Sequence, residues 1–134
     1  MKIDHGYIKG LLEAFEKAEK PFTNINELEK NGYSNECDQF ILHMDILLDM
    51  GLIETKSRDG GIGYRYSSCG IQITWAVIPL RLTADGHEYI ALLNEPNVWE
   101  NIKDDFKDSA IGTIKDVALE LVTGYIKEKV SNYR

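Results

Sequence analysis

The stretch that most limits how this chain can fold is residues 37–54. Cys37, Phe40, Ile41, Met44, Leu47 and Leu48 recur at three- and four-residue spacing, so a helix there turns one apolar face inward. Gly51 follows, in the position of a left-handed glycine that stops a helix. Leu52 and Ile53 come next and are apolar. No room is left for a loop, so the chain must pass from a buried helix into a buried strand within a few residues. Ser34 is expected to cap this helix. Cys37 is expected on its apolar face as an inert core thiol.

The neighbouring segments extend the pattern. Asp4 can cap a first helix carrying Ile8, Leu11, Leu12, Phe15 and Ala18, which should end before Pro21. Residues 22–30 hold only Phe22, Ile25 and Leu28 as apolar positions, so any helix there is short. Asn31-Gly32 marks a turn. Residues 52–55 read as a short strand and residues 56–78 as a β-hairpin. Ile62, Tyr64 and Tyr66 alternate on one arm, and Ile71, Ile73, Trp75 and Val77 on the other. The turn can fall at residues 59–61 or at residues 67–70, since both are rich in turn residues. Pro79 closes the second arm. Thr83 can cap a helix with Tyr89, Ile90 and Leu93. Beyond Pro96, residues 98–106 form one short helix, and a long last helix runs to about Val130 with Ser109 as its cap. The expected fold class is mainly α with a small antiparallel β-wing (α+β). Residues 1–95 form a winged helix-turn-helix domain, and residues 96–134 a C-terminal helical extension.

Length and composition narrow the function classes. The chain has 134 residues, 43% hydrophobic and 28% charged, which suits one folded domain with an appended arm. No apolar run reaches the roughly 18 residues of a membrane span, and the first residues lack a signal-peptide core. A cytoplasmic location is expected. Cys37 and Cys69 are too few for a disulfide framework and have no zinc spacing. His5, His43 and His87 fall in no metal-binding or catalytic pattern, so structural or capping roles are expected. No phosphate-binding loop, dinucleotide fingerprint or nucleophile elbow occurs. The expectation is a protein that is not an enzyme and needs no cofactor.

Residues 42–54 resemble the end of the recognition helix and the first wing strand in arsenic-repressor-type winged-helix regulators. The run Leu82-Thr83-Ala84-Asp85-Gly86-His87-Glu88 is similar to the start of the helix after the wing in many such proteins. A wider resemblance covers nearly the whole chain. Residues 1–4, Gly32-Tyr33-Ser34, His43, Gly51-Leu52-Ile53, Ile78-Pro79, Arg81-Leu82-Thr83, Gly86-His87-Glu88 and Trp99 resemble domain-of-unknown-function family 2513, small proteins frequent in phages and prophages. The resemblance implies a winged-helix fold and a mobile-element context. It carries no catalytic residue.

Such a fold suggests a DNA-binding transcriptional regulator, but the charge along the chain speaks against it. The total is −7, from 15 bases and 22 acids. Residues 31–55 hold no Lys or Arg and five acids, Glu36, Asp38, Asp45, Asp49 and Glu54, for a local charge of −5. The surface of the second strong helix should present Asn35, Asp38, Gln39, Leu42, Ile46 and Asp49. Asn35 and Gln39 could read adenine, whereas Asp38 and Asp49 would repel phosphates. Leu42 and Ile46 suit a protein contact. In residues 56–82 four bases face one acid, for +3, so Lys56, Arg58 and Arg65 of the wing are candidate phosphate contacts. Two partners therefore stay open: duplex DNA, bound weakly through the wing, or a protein. In the C-terminal helix Ile111, Ile114, Ala118, Leu121 and Tyr125 follow three-four spacing. They are expected to pack on the chain's own domain or to pair two copies as a homodimer.

Overall fold

The structure is a computed structural model that describes residues 1–56, 60–70 and 72–132. It is a mixed α+β fold, with six helices and two small antiparallel sheets among the described residues. Helix α1 spans His5–Glu16, α2 Ile25–Lys30 and α3 Asp38–Asp49. Strands β1 (Ile53–Thr55), β2 (Tyr64–Tyr66), β3 (Ile73–Trp75) and β4 (Leu80–Leu82) follow. Helices α4 (Ala84–Leu93), α5 (Val98–Asp105) and α6 (Ile111–Ser131) complete the chain.

Asp4 caps α1 by accepting the Tyr7 N–H at 3.0 Å, and Ile8, Leu11, Leu12 and Phe15 line the face it buries. Asn24 caps the short α2 in the same way through Glu27 N–H. Helix α3 starts later than Ser34 would place it. Its N-cap is Cys37, with no side-chain cap bond, because the Ser34 hydroxyl accepts from Glu36 N–H within the preceding turn. Cys37 is consequently exposed rather than part of the core. Helix α6 likewise begins after Ala110, not on a Ser109 cap, and the Ser109 carbonyl accepts from His5.

The two sheets are stages of one long hairpin. Strand β1 pairs with β4, Ile53 opposite Leu82 and Thr55 opposite Leu80. Thr23 bridges the other side of β4, exchanging both backbone bonds with Leu80 at 2.7 and 2.8 Å. Further out, β2 pairs with β3, Tyr64 opposite Trp75. The hairpin turn therefore lies at residues 67–70, where Gly70 N–H bonds the Ser67 carbonyl at 2.8 Å. The arms do not alternate regularly over their whole length. Ile62 is fully buried, whereas Tyr66 and Val77 are exposed, and Ile71 lies outside the described residues.

One core runs through the fold. It joins α1, α2, α3, β1 and β4 to α4, α5 and the first half of α6. The tightest point is where α3 leaves and α4 begins. Gly51 takes φ +71°, a left-handed value that suits glycine. Thr83 donates its hydroxyl to the Gly51 carbonyl and accepts from Gly86 N–H. Its own N–H donates to the Leu52 carbonyl at 3.0 Å. A Cβ on Gly86 would sit 2.0 Å from that same carbonyl oxygen. Gly86→Ala should therefore lower unfolding free energy by about 3 kcal/mol, because rigid backbone must move. Thr83→Ala should cost about 1 to 2 kcal/mol, the usual loss for a cap. Urea denaturation checks both; a Gly86→Ala chain as stable as the unaltered one contradicts the packing described.

Candidate functional site

Helix α3 and the outer hairpin form the most distinctive surface. Two histidines hold α1 beside it. His43 is fully buried on α3. Its Nδ1 donates to the Gln39 carbonyl at 2.7 Å, and its Nε2 accepts Asp4 N–H at 2.8 Å. The first group cannot donate and the second cannot accept, so the tautomer is fixed by its partners. The Tyr7 ring lies 4.8 Å from the His43 ring, centroid to centroid. His5, also buried, donates from Nε2 to the Ser109 carbonyl at 2.7 Å, while its Nδ1 has no partner. His87 is exposed on α4.

The outer hairpin folds back against α3. Tyr64 on β2 donates its hydroxyl to Asp45 on α3 at 2.6 Å. That bond, reinforced by burial, pushes the Tyr64 phenol up to about 12. Trp75 on β3 donates its indole N–H to the Asn35 carbonyl at 3.1 Å, and its ring meets the Phe40 ring edge-on at 5.9 Å. One flank of α3 is thus occupied by the chain's own hairpin.

The expected recognition surface is only partly assembled. Asp38 and Gln39 are exposed in the first turn of α3. Asn35 is not on the helix; it precedes it, and its carbonyl anchors Trp75. Leu42 is half-buried, and Ile46 is half-buried against the core, so neither projects freely. The exposed or half-exposed polar groups from residue 36 through the end of α3 include Glu36, Asp38, Asp45 and Asp49, with no base among them. Of the expected phosphate contacts, Lys56 and Arg65 are exposed, and Arg58 lies outside the described residues.

A basic group that the linear sequence conceals lies at the start of α3. Lys2, Lys103 and Lys107 line a cleft of about 510 Å³ together with Gln39 and Trp99. Asp4 and Asp108 line it too, and Lys103 pairs with Glu100 at 3.0 Å. The lysines come from opposite ends of the sequence, so no local motif signals them. The stripe on α6 is divided: Ile111, Ile114 and Ala118 are buried, but Leu121 and Tyr125 are exposed. Among the described residues, no three His, Cys, Asp or Glu side chains gather as a metal-binding group. No helix among them is long and apolar enough to cross a membrane.

Fold and surface together define a mixed α+β protein with a hairpin docked on its third helix. The sequence pattern of the family described as "Hypothetical protein (DUF2513)" matches residues 2–112, and the chain belongs to that family. No curated protein and no solved structure matches it.

Two outcomes test this geometry. Burial holds the His5 imidazole below its ordinary value of 6.5, against opposing contributions from the Ser109 carbonyl, Asp4 and Asp108. The neutral ring is therefore favoured in the folded state, and the unfolded chain takes up the proton first as pH falls. Stability should be complete above about pH 6.5 and decline as pH drops through the lower folded value. His5→Gln should flatten that part of a stability-pH curve; an unchanged slope contradicts it. Tyr64→Phe should loosen the hairpin by about 1 kcal/mol, a modest value for a half-exposed bond to a carboxylate. Faster amide exchange in residues 64–66 and 72–75, with α1 unchanged, is the expected reading.

Proposed function

We propose that the chain is a non-enzymatic regulator of winged-helix type that docks a basic segment of a partner protein on α3. Several features support the winged-helix reading. Three helices precede a strand, Thr23 and β1 flank β4, and a long hairpin joins β1 to β4. The phage or prophage setting expected from the family resemblance belongs to the same reading.

The observation that carries the protein-docking role is the character of α3. Its accessible polar side chains are dominated by acids, and Tyr64 and Trp75 fill one flank. A duplex inserted there would bring phosphates towards Asp38 and Asp49 without compensating bases on the helix. The exposed Met50, with the half-buried edges of Leu42 and Ile46, offers apolar contact beside the carboxylates. A basic amphipathic segment complements both features.

Duplex DNA is the second reading, favoured by Lys2, Lys103 and Lys107 beside Gln39. Fluorescence anisotropy separates the two. The probes are a mixed-sequence duplex of about 30 base pairs and a helical Lys/Leu peptide, both at about 50 mM salt. The peptide should bind at micromolar concentration, and Asp38→Lys with Asp49→Lys should weaken it at least about tenfold. The duplex should not bind. Duplex binding that falls steeply with salt and is lost in Lys2→Glu with Lys107→Glu would replace the protein-docking reading by the DNA one.

A further inference from the structure

Helix α6 carries more apolar surface than the rest of the chain covers. Its first half is packed: Ile111, Ile114 and Ala118 are buried, and the helix contacts α4 and α5. The same three-four spacing continues through Leu121 and Tyr125, yet these are 37% and 47% exposed. Leu119, Ile126 and Val130 are 44%, 52% and 51% exposed. With 3.6 residues per turn, these five side chains spread over roughly 180° of the helix circumference. That is wider than the roughly 100° stripe with which a helix faces its own core. The exposed apolar area is on the order of 500 Å², near the upper end for the largest patch on a monomer. The family match ends at residue 112, so this arm lies outside the matched region.

We propose that the overhanging half of α6 is covered by the same segment of a second copy, the two helices crossing antiparallel about a twofold axis. Charge selects both the occupant and the direction. Lys115, Asp116 and Glu120 in the first half of the helix sum to −1 (1 minus 2), and Lys127, Glu128 and Lys129 in the last turns sum to +1 (2 minus 1). A parallel, in-register pair sets lysine against lysine and acid against acid. An antiparallel pair sets the lysine end of each helix against the acidic region of the other.

In a crossing centred between Val122 and Thr123, Leu119 faces the partner's Ile126, and Lys127 lies on the same flank as the partner's Asp116 and the partner's Glu120. An arc this wide needs more than one neighbouring surface. In a twofold pair the partner's arm and the partner's body supply two. Burial of both patches removes on the order of 1,000 Å² from water, the lower bound for a specific interface, so a dimer of micromolar affinity is expected.

Sedimentation equilibrium of the full chain, from about 1 μM to about 500 μM, reads the association directly. The expected result is a monomer–dimer equilibrium. Leu121→Asp with Ile126→Asp should raise its dissociation constant at least about tenfold while leaving helical circular dichroism unchanged. Lys127→Glu with Lys129→Glu leaves the apolar surface intact and should weaken pairing in the same direction. Adding Asp116→Lys and Glu120→Lys to that variant should restore it. For the direction, Leu119→Cys and Ile126→Cys chains are mixed in a Cys37→Ser, Cys69→Ser background. They should form the mixed disulfide in preference to either homodisulfide. A monomer at every concentration overturns the dimer, and predominant homodisulfides overturn the antiparallel crossing.

Discussion

The fold turns on the backbone contact between the end of α3 and the start of α4. The Gly51 and Leu52 carbonyls point at Thr83, and Thr83 returns one bond to each while capping α4. Gly86 lets the α4 backbone come close enough for this, because a side chain there would strike the Leu52 carbonyl. The two ends of the long hairpin are thereby fixed side by side. β1 must leave α3 as β4 arrives at α4, so the strands pair and the intervening residues project as a hairpin. This explains why Gly51-Leu52-Ile53 and Leu82-Thr83 with Gly86 occur together: they are the two halves of one junction.

From that junction follows the surface. The hairpin is long enough to turn back on α3, and Tyr64 and Trp75 secure it there. His43 joins the same helix to the α1 cap, and His5 joins α1 to the segment before α6. Helix α3 is therefore held on several sides by the chain itself. What it leaves accessible is mostly carboxylate with some apolar edge. That combination is the ground for proposing a basic protein segment rather than a phosphate backbone as its partner, because repulsion from Asp38 and Asp49 has no opposing base on the helix.

Much of the fold was legible in the sequence because it rests on local signals. Apolar spacing located α1, α3, α4 and α6, Gly51 located the end of α3, and Thr83 the start of α4. The failures have equally definite causes. Ser34 is a better capping residue than Cys37, but its hydroxyl is used inside the preceding turn, which moves the helix start and exposes Cys37. Helical spacing from Ser34 would place Asn35 on the presented face, whereas its carbonyl is held by a tryptophan 40 residues away. Periodicity marked Ile111 through Tyr125 as one stripe, but could not say where the body of the protein ends beneath it. The grouping of Lys2 with Lys103 and Lys107 is tertiary, and no local pattern encodes it.

The outer hairpin and α3 form one continuous surface, with the hairpin lying on the helix. Nuclear Overhauser contacts of the Trp75 indole in the full chain test it most directly. Cross-peaks from that indole to the Phe40 ring and to Asn35, together with Tyr64 contacts to Asp45, are predicted. A Trp75 indole with no contact to α3, on a hairpin tumbling independently of the helix, would contradict it.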